Sequence, residues 1–143
     1  MHSSRAPETG ARIIGVHALS CGMPASAIIL FAHGAREPEW ARPLERVRDR
    51  LRAESLRVEL AYLEIMKPSL DEAGKTLVAE GATTVTIVPL FLAQGKHLKR
   101  ELPEMMEVLK RKHAGVEFRV TPALGDDPEI VTAIAAWVKR AAR

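Results

Sequence analysis

Residues 27–34 read AIILFAHG, an apolar run of six residues that ends in histidine and glycine. A continuous apolar run of this length, without polar alternation, is typical of a β-strand buried on both faces of its sheet. Strands of that kind occur in parallel sheets, which carry helices on both faces. The stretch therefore predicts the first strand of an α/β domain.

The rest of the chain alternates between strand and helix patterns. Strand patterns follow at 58–63, 84–90 and 116–120, and helix patterns at 38–53, 69–81, 102–112 and after Asp126-Asp127-Pro128. Such alternation indicates right-handed crossovers and an open, doubly wound parallel sheet. We predict one α/β domain, residues 27–143, with four parallel strands in the order 2-1-3-4 and helices on both faces. Residues 1–26 are expected to form a loosely ordered N-terminal extension.

Apolar stripes at helical spacing predict which helix faces pack on the sheet. The first helix carries Trp40, Leu44, Val47 and Leu51, opposite a face crowded with charges. The stripe of the last helix consists of Ile130, Ile134, Trp137, Val138 and Ala141. We expect both stripes to face inward.

Composition excludes several classes of protein. The net charge is only +3, and acidic residues are interleaved with the basic ones, so neither a basic stripe nor stacking aromatics indicate a nucleic-acid partner. The lone Cys21 excludes an internal disulfide. No apolar run approaches the roughly 20 residues that span a bilayer. Gly15 and His17 interrupt the apolar stretch near the N-terminus, which argues against a secretory signal and favours a cytoplasmic protein.

Three side chains that could bind a metal or take part in catalysis follow three predicted strands. His33 follows the first strand, Glu64 the second, and His97 comes a short loop, 94–97, after the third. Ligands of open α/β sheets bind beyond the carboxyl ends of the strands, near the switch in strand order. Two imidazoles and one carboxylate at that edge would suit cobalt, nickel, iron or zinc. Taken singly, each could be an ordinary turn or surface residue; their common placement favours a site.

Positive charge surrounds these histidines. The flanking basic residues are Arg36, Lys96, Lys99 and Arg100. Together with the helix N-termini at that edge, they predict a rim that attracts a polycarboxylate or a phosphate ligand. A histidine-phosphatase motif is a weaker interpretation of His33-Gly34, because Ala32 stands where that chemistry needs an arginine. Phosphate-loop, dinucleotide and serine-hydrolase motifs are absent from the sequence.

Three stretches in this order resemble the short-form CbiX family, the sirohydrochlorin cobaltochelatases, which are related to sirohydrochlorin ferrochelatases. They are ILFAHGAREPE (29–39), VELAYLEIMKPSLDEA (58–73) and VTIVPLFLAQGKHLKRELPE (85–104). The resemblance extends over residues 27 to 142. It departs from the family pattern at Ala35, where a serine is common, and at Lys96, where a small residue is common. These departures bear on metal preference more than on the class of activity.

The resemblance implies a chelatase-like fold and ATP-independent insertion of a divalent metal into a sirohydrochlorin-type tetrapyrrole, in cobalamin or sirohaem-type biosynthesis. Cobalt is the expected metal, with iron or nickel as alternatives; it would be a substrate, and no permanently bound cofactor is expected. It implies that His33 and His97 hold the metal, that one of them takes pyrrole protons, and that Glu64 is the third group. It also implies a homodimer.

The macrocycle needs a surface that matches its charge and its flat apolar face. The basic rim would hold the peripheral carboxylates, and Phe91 and Leu92, with Leu90 and Met66, would cover the ring, although these four could equally be core residues. From another functional class, the chain could be a tetrapyrrole or metal carrier without catalysis. A carrier would retain its metal tightly and insert none.

Overall fold

A computed structural model describes residues 25–143 of the chain. Within that range four strands form one parallel sheet in the order β2-β1-β3-β4, which confirms the predicted topology. The strands are β1 (Ser26–Ala32), β2 (Val58–Tyr62), β3 (Thr84–Pro89) and β4 (Glu117–Val120). The helices are α1 (Arg42–Ala53), α2 (Leu70–Ala79), α3 (Lys96–Lys112) and α4 (Pro128–Ala141), and short 3₁₀ turns, Pro38–Ala41 and Leu124–Asp126, precede α1 and α4.

The helix starts follow the capping chemistry in the sequence. The Ser69 hydroxyl accepts a hydrogen bond from the Glu72 backbone N–H at 3.2 Å and so caps α2. The Asp127 carboxylate accepts bonds from the N–H groups of Glu129 and Ile130, at 2.8 and 3.3 Å, and so begins α4. Side-chain caps therefore determine where α2 and α4 begin.

The two faces of the sheet are covered unequally. On the first face, α2 and α3 pack on strand residues that include Phe31 and Ile87, and both of these are fully buried. On the second face, the first 3₁₀ turn and α1 lie over a smaller cluster that includes Leu30, Leu60 and Tyr62. The first face therefore holds the main hydrophobic core.

The chain leaves β3 and enters α3 differently from the prediction. The strand β3 ends at Pro89, which has no N–H to donate, and is one residue shorter than predicted, although the Leu90 N–H still donates to the Phe31 carbonyl at 2.7 Å. α3 begins at Lys96, although the sequence predicted a loop at 94–97 and a helix from 102. Buried Leu98 extends the apolar stripe of Leu102 back by one turn, and this packing outweighs the polar character of its neighbours.

α1 and α4 do not bury their apolar stripes as predicted. Within the described chain neither helix contains a buried residue, although Leu44 and Leu51 of α1 are half-buried on the second face. Trp137 is 61% exposed, so the expectation that α4 packs inward is wrong for a single chain. The principal contacts of α4 are with the 3₁₀ turn that precedes it. No helix in residues 25–143 is both long and apolar enough to cross a membrane.

Candidate functional site

The carboxyl ends of β1 and β2 bring His33 and Glu64 together. The chain leaves the two strands side by side, because the Leu63 N–H donates to the Ala32 carbonyl at 2.8 Å and the Glu64 N–H donates to the His33 carbonyl at 3.1 Å. Parallel pairing thus continues past the strand ends. The main chain, rather than a side-chain network, determines the separation of these two residues.

Gly34 makes this close approach possible. Its φ of +97° is a conformation that L side chains rarely adopt. A β-carbon at this position would collide with the backbone carbonyl of Glu64. The histidine-glycine pair that ends the first strand motif therefore has a structural reason: the glycine lets the chain after β1 lie against the chain after β2.

The His33 and Glu64 side chains lie next to each other at the protein surface. His33 Nδ1 lies 3.4 Å from Glu64 Oε1, and the two side chains are 55% and 56% exposed. The Phe91 ring approaches the His33 imidazole edge-on, with centroids 6.1 Å apart, and packs in the same way on Phe31 at 5.8 Å. Phe91 thus links the imidazole to the core while leaving its nitrogens accessible.

His97 reaches the same place from the first turn of α3. Gly95 is the N-cap of that helix and has no side chain that could accept a hydrogen bond from the backbone N–H groups of the first turn. The helix end adds partial positive charge near His97. Glu101 lies one helical turn later, on the same face of α3.

A cavity of about 410 Å³ joins these groups. Its lining consists of His33, Leu63, Glu64, Phe91, Ala93, Gly95, His97, Leu98 and Glu101. Within residues 25–143, however, no three histidine, cysteine or acidic side chains lie close enough together to hold one metal ion. The cavity therefore presents the close His33–Glu64 pair from the strand ends, with His97 and Glu101 contributed by α3, and offers room for a ligand.

Glu101 was not predicted from the sequence. It was overlooked because the helix was predicted to start at residue 102, which left His97 in a loop and Glu101 outside any element. The signal that could have identified it is the spacing of four residues from His97, which places both side chains on one face once α3 begins at Lys96.

Among the other predicted site residues, only Phe91 lines this cavity. Phe91 lines the cavity, whereas Leu92 is 67% exposed and lies outside its lining. Lys99 lines another cavity, of about 550 Å³, between α3 and β4. The remaining basic residues are exposed and line neither cavity; they are Arg36, Lys96 and Arg100. Leu90 and Met66 pack at the margin of the second-face cluster.

Comparison with known proteins gives a consistent result. A family model described as CbiX matches residues 27–141. This chain belongs to the CbiX family. The sirohydrochlorin cobaltochelatase of Sulfolobus acidocaldarius is 33% identical over 104 residues, which are 73% of this chain and 82% of that protein. The protein of the same name from Saccharolobus solfataricus is 34% identical over 109 residues, 72% of this chain and 85% of that protein.

Two solved structures share the fold. A CbiX protein of cobalamin (vitamin B12) biosynthesis from Marinobacter aquaeolei is 36% identical and superimposes with a TM-score of 0.71, covering 80% of this chain and 95% of that chain. SirB from Bacillus subtilis, solved with Fe3+, is 26% identical with a TM-score of 0.67. The alignment covers 80% of this CbiX-family chain but 46% of SirB, so the chain spans about half the length of that relative.

Proposed function

We propose that this protein inserts a divalent metal, foremost Co2+, into sirohydrochlorin without ATP. The observation that carries the proposal is that His33, Glu64 and His97 line one cavity at the carboxyl edge of a parallel sheet. Imidazole and carboxylate are suitable ligands for cobalt, iron and nickel. Relatives with 33–34% identity are sirohydrochlorin cobaltochelatases, which supports cobalt and this substrate.

Insertion exchanges one divalent ion for the two protons of the pyrrole N–H groups, so the site must deliver an ion and accept protons. We assign metal delivery to His33 and His97, whose neutral imidazoles can bind a metal, and the acceptance of pyrrole protons to one of these two histidines. Glu64, 3.4 Å from His33, would balance the charge of the ion. Glu101 lines the same cavity and is proposed as an additional proton acceptor.

The openness of the site suits a metal that is a substrate and not a resident cofactor. Both His33 and Glu64 are more than half exposed, and thiolate ligands are absent from the described cavity lining. Such ligands bind a divalent ion moderately and release it to a better chelator. A tetrapyrrole with four ring nitrogens is such a chelator.

The substrate would lie on the rim of this cavity. Phe91 offers an apolar surface next to His33, and we keep Leu92 as a second contact for the ring. Arg36, Lys96, Lys99 and Arg100 stay the proposed partners of the peripheral carboxylates. Their side chains are exposed and long, so they could reach a ligand that extends beyond the cavity.

Assembly, location and pathway complete the proposal. We propose that the working unit is a homodimer, because one chain of this fold corresponds to about half of SirB. We place the reaction in the cytoplasm, within cobalamin or sirohaem-type tetrapyrrole biosynthesis. SirB has been solved with Fe3+, which makes iron the main alternative metal. Nickel is the next candidate on ligand chemistry.

The test is an anaerobic insertion assay followed by absorbance, in which sirohydrochlorin is offered Co2+, Fe2+ or Ni2+ separately. We expect the fastest turnover with Co2+ and a loss of about 10²-fold or more in the His33→Ala and His97→Ala variants. His113→Ala, at the opposite end of α3, and Glu104→Gln are matched controls that should retain the parent rate. Parent-like rates in both cavity-histidine variants would contradict the mechanism.

Glu64→Gln separates charge balance from metal delivery. If the carboxylate stabilises the bound ion, this variant should bind Co2+ more weakly in calorimetry, and turnover should recover partly at high Co2+. Tight retention of Co2+ by the parent protein, without transfer to sirohydrochlorin, would indicate a carrier and would refute the enzymatic proposal.

A further inference from the structure

Ile65 combines two unfavourable features next to the candidate site. Its backbone has a φ of +66°, in the left-handed region that β-branched residues rarely adopt. Its apolar side chain is 63% exposed, so burial does not offset this strain. A single exposed apolar residue is ordinary in a folded protein, but one that is also held in a strained conformation is not. Strain of this kind is concentrated at active sites and ligand-binding sites.

Ser55 has almost the same φ, +65°, for a reason that lies in the fold. It follows the end of α1, where its N–H donates to the Arg52 carbonyl at 2.9 Å and the Leu56 N–H donates to the Leu51 carbonyl at 3.2 Å. In this Schellman pattern, the residue after the helix takes a left-handed conformation that satisfies the last carbonyls. Ser55 and Ile65 are the two residues other than glycine with a positive φ in the described chain. The end of a helix accounts for Ser55 but not for Ile65.

Hydrogen bonds on both sides hold Ile65 in its conformation. The Glu64 N–H donates to the His33 carbonyl at 3.1 Å, and the Met66 N–H donates to the Glu64 carbonyl at 2.7 Å. The first of these bonds is the one that keeps Glu64 beside His33. Ile65 therefore cannot relax without disturbing two residues that line the cavity. The strain results from the same backbone path that builds the site.

Leu92 occupies the corresponding position on the other side of His33. It is 67% exposed and stands between Phe91 and Ala93, both of which line the cavity. Its main chain is fixed, because the Gly125 N–H donates to the Phe91 carbonyl at 3.0 Å and Gly125 packs against the Leu92 carbonyl so closely that a β-carbon would not fit. Leu92 is thus an apolar side chain that a rigid backbone presents to solvent.

Ile65 and Leu92 flank the histidine at the end of the central strand. Ile65 follows β2, His33 follows β1 and Leu92 follows β3, and the sheet order is β2-β1-β3. With strands about 4.8 Å apart, the ends of β2 and β3 stand two strand spacings, about 10 Å, from each other. Two exposed apolar side chains on fixed main chain, with an imidazole between them, suit a flat apolar ligand that carries nitrogen atoms at its centre. A tetrapyrrole has that shape.

We propose that Ile65 is a substrate-binding residue, which packs together with Leu92 on the apolar face of the tetrapyrrole and so holds the ring nitrogens over His33. The inference rests on the proposed function and adds Ile65 to the ring contacts expected from the sequence. A turn that is already fixed in the free protein avoids the entropy loss of ordering a mobile loop on binding. The strain at Ile65 then serves substrate affinity and not the fold.

The test compares Ile65→Gly and Ile65→Asn with Ser55→Gly, because glycine and asparagine both tolerate a positive φ. The first measurement is the affinity for metal-free sirohydrochlorin, followed anaerobically by the absorbance of the tetrapyrrole. Both Ile65 variants should bind it about 10-fold more weakly, since the exposed part of the isoleucine is no longer buried against the ring. Ser55→Gly, at nearly the same φ but at the amino edge of the sheet, should bind like the parent.

Thermal unfolding separates an effect on the substrate from an effect on the fold. Relief of strain and the greater freedom of glycine in the unfolded chain oppose each other, so Tm should stay within about 3 °C of the parent in all three variants. Co2+ affinity in calorimetry should be unchanged if Glu64 stays beside His33. In the insertion assay KM should rise and kcat should stay at the parent value, as expected when uniform binding is lost.

Three outcomes would overturn the inference. Parent-like affinity for sirohydrochlorin in both Ile65 variants would show that the side chain does not contact the ring. A fall in Tm of more than about 10 °C in both would show that Ile65 supports the fold. A halved mass by light scattering in both would assign Ile65 to a contact between chains. Sirohydrochlorin binding that depends on Ile65, in a parent protein that inserts no metal, would support the inference and contradict the proposed function.

Discussion

Replacing Gly34 with alanine should damage both stability and the site, by an amount that the structure allows us to estimate. The φ of +97° costs an alanine about 1–2 kcal/mol. The added β-carbon would also collide with the Glu64 carbonyl, and relief requires separation of the chains after β1 and β2. Overpacking of this kind costs about 1–3 kcal/mol. Together the two effects should lower the free energy of unfolding by about 3 kcal/mol.

Gly81→Ala is the matched control, because Gly81 has nearly the same φ, +96°, and no atom within 4 Å of a new β-carbon. It should cost about 1 kcal/mol, since only the conformational strain applies and alanine also restricts the unfolded chain. Urea unfolding followed by circular dichroism measures both values. For a domain of this size, Tm should fall by about 12 °C in Gly34→Ala and by about 4 °C in Gly81→Ala.

The insertion assay adds a second comparison for the same pair. Gly34→Ala should lose rate at temperatures where it is fully folded, because His33 and Glu64 move apart, whereas Gly81→Ala should keep the parent rate. Equal losses of stability in the two variants, together with equal rates, would refute the argument that Gly34 is required for the approach to Glu64.

Three further outcomes follow from individual contacts. Burial, reinforced by the negative charge of Glu45, raises the pKa of the Tyr62 phenol above its ordinary value near 10, so the folded chain keeps this proton after the unfolded chain has lost it. This contribution to the free energy of unfolding should therefore be intact below about pH 10 and should be lost as pH rises toward the folded pKa. The Tyr62→Phe variant should lack this part of the pH dependence. Tyrosinate absorbance measures the ionisation of this residue alone, because the chain has one tyrosine. Asp127→Ala removes the cap of α4 and should cost about 1 kcal/mol in urea unfolding, whereas Asp126→Ala, whose side chain does not cap the helix, should cost less. Glu101→Gln should lower the insertion rate with little change in Co2+ affinity measured by calorimetry, and a rate equal to that of Glu104→Gln would contradict a proton-accepting role.

The sheet and most of the cavity could be predicted because their signals are local. A continuous apolar run followed by a polar residue marks both a buried strand and its carboxyl end, so His33 and Glu64 could be placed together before their distance was known. The start of α3 could not be located in this way. Its N-cap is Gly95, which has no side chain and therefore gives no capping signal, and the polar residues that follow do not show the apolar spacing of a helix.

The position of α4 shows a different limit of sequence reasoning. Its periodicity correctly predicted a helix with one apolar face. Periodicity reports that a face requires a partner but carries no information on which surface supplies it. The inward packing expected for Ile134 and Trp137 assumed that the partner is the same chain. Contacts of the preceding 3₁₀ turn, which involve residues distant in sequence, determine the direction of the helix instead.

The exposure of His33 and Glu64 has a consequence for the choice among metals. Water reaches more than half of each side chain, so the protein imposes little coordination geometry on an arriving ion. Affinity in such an environment follows the Irving–Williams series, in which nickel and copper bind more tightly than cobalt. The identity of the inserted ion is then governed by the concentrations of free ions in the surroundings and by the fit of each ion to the ring nitrogens. A cell that needs the cobalt product must keep the stronger competitors scarce.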